Sequence, residues 1–67
     1  MIKSQIGKNA GKIWEFLDES QVSSVFEIMK ALSMEKQEVL LALGWLAREN
    51  KIYFCGDHKG CKIMIIY

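Results

Sequence analysis

From Ser4 to Glu19 apolar residues recur at helical spacing. Ile6, Ala10, Ile13, Trp14 and Leu17 share one face, and Lys8, Lys12, Glu15 and Glu19 share the other. Lys12 and Glu15 can pair across one turn, so the charged side reads as a solvated face. Gly7 and Gly11 weaken this helix by roughly 1 kcal/mol each relative to alanine, which predicts close approach of a neighbouring backbone. The period breaks at Gln21 to Ser24, where Val22 suits a one-rung strand. Ser24-Val25-Phe26-Glu27 then has the form of a capping box. It opens a short helix with Val25, Ile28, Met29 and Leu32 facing inward, followed by a turn around Ala31 to Met34. The third stretch, Ser33 to Asn50, reads as one helix with Ser33 as N-cap and Glu35 in its first turn. Val39, Leu43, Leu46 and Asn50 form its buried stripe, flanked by the small Ala42 and Ala47.

After Asn50 the period changes from 3.6 to 2. Lys51 to Cys55 and Cys61 to Tyr67 read as strands, with turn chemistry in Gly56-Asp57-His58-Lys59-Gly60. With Asp57 to Gly60 as the loop and Gly56 opposite Cys61, Ile52, Phe54, Ile63 and Ile65 share the inner face. Tyr53, Cys55, Lys62, Met64 and Ile66 then lie on the outer one. A loop one residue longer would bury Lys62 beside Phe54, which desolvation of the ammonium disfavours. Three helices followed by a hairpin, with a short strand between the first two helices, predict an α+β winged helix-turn-helix. Residues 1–67 are read as one such domain.

Composition narrows the class. Of the residues, 51% are hydrophobic and none is proline, which excludes a disordered tail. The net charge is +1 and the pI ≈ 7.8, below the value of about 9 that marks many nucleic-acid modules. No apolar run follows Lys3 as in a secretion signal, and no stretch approaches the roughly eighteen apolar residues of a membrane span. Two cysteines are too few for a secreted disulfide scaffold. A cytoplasmic protein with no membrane association and no cofactor is expected.

Two runs carry a resemblance, Ile6-Gly7-Lys8-Asn9-Ala10-Gly11-Lys12-Ile13-Trp14 and Leu41-Ala42-Leu43-Gly44-Trp45-Leu46-Ala47-Arg48-Glu49. With these, nearly the whole chain resembles a family of small uncharacterised prokaryotic winged helix-turn-helix proteins. The resemblance implies the α-α-α-β-β core and no assigned reaction. The wider superfamily holds many DNA-binding regulators, an analogy of fold alone.

A DNA reader would present the outward face of the third helix to the major groove. That face carries Gln37, Leu41, Gly44 and Arg48, with Met34 and Trp45 at one margin and Leu40 towards the other. Candidate nucleic-acid contacts are Gln37 and Arg48 on the helix with Lys51, Lys59 and Lys62 on the hairpin, His58 lying beside them. Only Gln37 sits early enough for paired hydrogen bonds to a base edge, and Glu35 and Glu38 would repel phosphates. Double-stranded DNA is therefore the second choice of partner. The apolar surplus favours a protein contact: Leu41 and Trp45, with Leu40 beside them, exceed what the inner stripe needs, and Tyr53, Met64 and Ile66 lie on the outer strand face. Leu41, Trp45, Tyr53, Met64 and Ile66 are the candidate interface, covered by a protein partner or, more simply, by a two-fold homodimer. The apolar C-terminal strand from Ile63 to Tyr67, lacking a charged gatekeeper, is expected to seek another edge. Cys55, Asp57, His58 and Cys61 offer metal-binding atoms, but lack a C-x-x-C pair and a fourth strong ligand, and the thiols project to opposite faces. With no phosphate loop and no nucleophile beside a base, a non-enzymatic binding module is expected.

Overall fold

The computed structural model describes residues 2–57 and 60–66. The elements run α1 (Ile2–Ser20), β1 (Val22–Ser24), α2 (Val25–Leu32), α3 (Lys36–Arg48), β2 (Ile52–Asp57) and β3 (Gly60–Ile65). On α1 the expected stripe is inward, with Ala10, Ile13 and Leu17 buried and Trp14 packed against the same core. Asn9 is buried too, and its Oδ1 accepts a hydrogen bond of 3.1 Å from the Gln5 amide one turn earlier. That bond lets a polar side chain sit at the margin of an apolar stripe.

The chain leaves α1 through Gln21 in the left-handed region (φ 71). Ser20 Oγ donates to the Phe16 carbonyl at 2.9 Å and lies 3.1 Å from the hydroxyl of buried Ser23. The expected capping box is present at α2: Glu27 N–H donates to Ser24 Oγ at 3.1 Å, and Ser24 N–H to Glu27 Oε1 at 2.8 Å. Ile28 is buried, with Val25, Met29 and Leu32 packed against the core.

The junction of α2 and α3 differs from the expectation. Ser33 does not open α3; it closes α2 in the left-handed conformation (φ 53), and Met34 N–H reaches back to the Met29 carbonyl at 3.0 Å. This is the 6→1 bond of a helix C-terminal cap. Glu35 becomes the N-cap of α3, its N–H donating to Glu38 Oε1 at 3.0 Å. The far end is shorter as well. Asn50 is not part of the buried stripe but an exposed left-handed cap (φ 58), with Lys51 N–H donating to Leu46 O at 3.0 Å and its own N–H to Ala47 O at 3.1 Å. The stripe that does enter the core is Val39, Ala42, Leu43 and Leu46.

The sheet is antiparallel, in the order β1-β3-β2. The hairpin register is the expected one, with Gly56 opposite Cys61, Phe54 opposite Ile63 and Ile52 opposite Ile65. Pairing extends one step into the expected loop, to Asp57 opposite Gly60. Gly56 adopts φ +130, and a Cβ there would run into the Gly60 backbone, so only glycine fits. Two expectations fail in the sheet. The C-terminal strand is central rather than open to another edge, because Val22–Ser24 covers its far side. Phe54 shares a strand face with buried Ile52 and Ile63, yet it is 48% exposed. It stands on the edge strand beyond the cover that Ile63, one strand further in, receives.

Candidate interaction surface

Helical phase places Gln37, Leu41, Gly44 and Arg48 opposite the buried stripe of α3, and all four are exposed. Leu41 is 54% exposed, Leu40 on one flank 48% and Trp45 on the other 37%. Leu41 and Trp45 are one turn apart, so their side chains lie along one line of the surface. The two polar ends of that face are far apart: Arg48 lies eleven positions after Gln37, about 16 Å along the axis.

Trp45 also lines a groove of ≈ 320 Å³ between α1 and α3, where Gly7, Gly11 and Trp14 form the opposite wall. The close backbone approach expected at Gly7 and Gly11 does not occur, since a Cβ at either position would meet nothing within 4 Å. Lys51 lines the same groove.

On the outer face of the sheet, Tyr53 stands opposite Met64, and Met64 opposite Val22, making one cross-strand row. Tyr53 and Val22 are exposed and Met64 is half-buried. Ile66 follows Met64 on the same face and is exposed; its N–H donates to the Lys51 carbonyl at 2.8 Å. The five residues expected at an interface thus form two groups, Leu41 with Trp45 on α3 and Tyr53, Met64 and Ile66 on the sheet.

The cationic candidates are scattered. Lys62 is exposed on the outer face, between Ser24 and Cys55, with its Nζ 4.0 Å from Glu27 Oε1. Glue of this kind between exposed groups is weak, but it places a carboxylate beside the one described lysine of β3. The Glu27 carboxyl is held below the usual carboxylate value, first by the Ser24 N–H, then by the Ser24 hydroxyl, with a smaller contribution from Lys62. Lys59, with His58, lies outside the described residues. Cys55 and Cys61 are free thiols, the first half-buried and the second exposed. Among the described residues no three His, Cys, Asp or Glu side chains gather at metal-binding distance. No described helix is long and apolar enough to cross a membrane.

Sequence reasoning missed two exposed aromatic residues. Phe26 is 67% exposed on the first turn of α2, with Lys30 Nζ 5.9 Å from its ring centroid. Its position was readable, because an inward face of Val25, Ile28, Met29 and Leu32 leaves Phe26 outside. The other is Phe54, whose exposure depends on strand order, for which the chain carries no local signal.

Comparison with known proteins agrees with this geometry. Over 57 residues the chain is 39% identical to the uncharacterized protein MJ1608 of Methanocaldococcus jannaschii, covering 82% of this chain and 81% of that protein. It superposes on the solution NMR structure of protein BT2368 from Bacteroides thetaiotaomicron with a TM-score of 0.88 and 35% identity, covering 97% of this chain and 79% of that one. A family model described as a winged helix-turn-helix domain (DUF2582) matches residues 1–65, and with the α-α-α-β-β core in place the chain belongs to that family.

Proposed function

We propose that this domain is a non-enzymatic binding module that works by protein contact, in the first instance by associating with itself. One observation carries the reading: on the face of α3 that a winged-helix DNA reader turns to the groove, Leu40, Leu41 and Trp45 are exposed. Leucines at 48% and 54% exposure gain little from folding and would gain from being covered by a partner. Free thiols at Cys55 and Cys61 suit a reducing compartment, which supports a cytoplasmic location.

A nucleic-acid regulator is the second reading, supported by the exposure of Gln37, Arg48, Lys51 and Lys62. The two readings separate in one experiment, sedimentation over a range of protein concentrations with and without a non-specific duplex. Protein contact predicts a mass that rises with protein concentration and ignores the duplex at physiological salt. If the duplex instead shifts the boundary, and Lys51→Ala with Lys62→Ala flattens the slope of log affinity against log salt by about one per lost phosphate contact, the regulator reading replaces it.

A further inference from the structure

We infer that β2 is the self-association edge, and that two copies pair antiparallel through Phe54 into one six-stranded sheet. The inference rests on the self-association reading above, but it places the contact between copies at the sheet edge and leaves Leu40, Leu41 and Trp45 on α3 outside it. In the order β1-β3-β2 the two outer strands are unequal. β1 is three residues long, entered from the left-handed Gln21 and ended at once by the cap of α2. β2 is six residues long, and no described strand lies on its other side.

Its unpaired backbone groups can be identified. In an antiparallel ladder alternate residues turn N–H and C=O to the same neighbour. Ile66 N–H donates to the Lys51 carbonyl across the β2–β3 pair. Lys51, Tyr53 and Cys55 therefore face β3, and Ile52 and Phe54 turn their backbone groups to the open edge. A two-fold axis through Phe54 sets these outward groups against themselves: Phe54 opposite Phe54, Ile52 opposite Gly56, Tyr53 opposite Cys55. The groups that need partners are then the groups that meet, so the edge is complementary to a second copy of itself.

Two further features fit that occupant. From position 51 to position 57 the only charged residues are Lys51 and Asp57, and this register sets each opposite the other. No lysine, proline or inward charge interrupts Ile52 to Gly56, the devices by which exposed edges are usually blocked. Phe54, which the monomer leaves 48% exposed on this edge, would lie against its counterpart as a cross-strand aromatic pair.

Proline at position 54 tests this directly. The Phe54 N–H faces away from β3, so Phe54→Pro leaves the β2–β3 ladder intact and removes both central intersubunit bonds. Phe54→Lys is the companion variant, setting two ammonium groups face to face. Sedimentation equilibrium should show each raising the dimer dissociation constant on the order of 100-fold, as expected for two lost hydrogen bonds or a repelling pair. Leu41→Lys should leave it unchanged. Amide exchange gives a readout that needs no substitution: the Phe54 amide should become protected as protein concentration rises, and the Tyr53 amide should be protected throughout. A dimer that survives both Phe54 variants and dissolves with Leu41→Lys would overturn the edge and keep the self-association reading. A chain that stays monomeric at millimolar concentration, with a Phe54 amide exchanging freely, would overturn both.

Discussion

The two faces of α3 are made of the same material and have opposite fates. Leu43 and Leu46 are buried in the core, whereas Leu40 and Leu41, separated from them by only a few residues, stand in solvent. Hydrophobicity alone does not separate these leucines; the helical phase does, together with what the fold brings to each side. The inner pair are held by folding. The outer pair contribute little to it. The outward face thus carries Leu40, Leu41 and Trp45 alongside Gln37 and Arg48.

The strongest way to break this contrast is Leu43→Ala. It should cost about 2–5 kcal/mol in chemical denaturation, a large share of what so small a domain holds. A melt indistinguishable from the parent would mean that the wrong face has been placed inward.

Where α3 begins sets that phase, and Ser33 reports on it. A serine held at φ 53 is strained, so Ser33→Gly should stabilise by about 1 kcal/mol. If Ser33 were the N-cap of α3, the same change would destabilise by a few tenths instead. The sign of the shift in melting temperature decides between them.

The outer face itself can be probed at Gly44, where a Cβ would meet nothing within 4 Å. Gly44→Ala should stabilise the monomer by about 0.5–1 kcal/mol through helix propensity alone. A loss of stability at low protein concentration would show that this face is covered within the monomer.

The smallest effect concerns charge at the sheet's outer face. Glu27 is lowered below its ordinary value of 4.5 in the folded chain, chiefly by the Ser24 N–H. Its contribution is therefore fully present above that value and is lost as pH falls through the lower folded one. Glu27→Gln should flatten the acid limb of a stability–pH curve and leave the curve near neutrality parallel to the parent's. An unchanged acid limb would show that the Ser24 cap and Lys62 do not hold the carboxylate.

Much of this protein was legible in the chain because it is decided by short-range chemistry. The capping box at Ser24 and Glu27 closes within four residues, and the stripe of Ile13, Leu17, Val39 and Leu43 follows from helical period. The hairpin register follows from alternation and the cost of burying Lys62. Other features belong to the tertiary structure. Ser33 and Asn50 suit a cap or a helix locally, and only the packing angles of the neighbouring elements force them left-handed. Gly7 and Gly11 could equally serve a close contact or an open groove until α3 takes its place beside them. The exposure of Phe54 depends on β1 joining β3 from the far side, which makes β3 central and leaves β2 as the edge. Residues forty apart meet there, and no local period records which side of a strand its partner will choose.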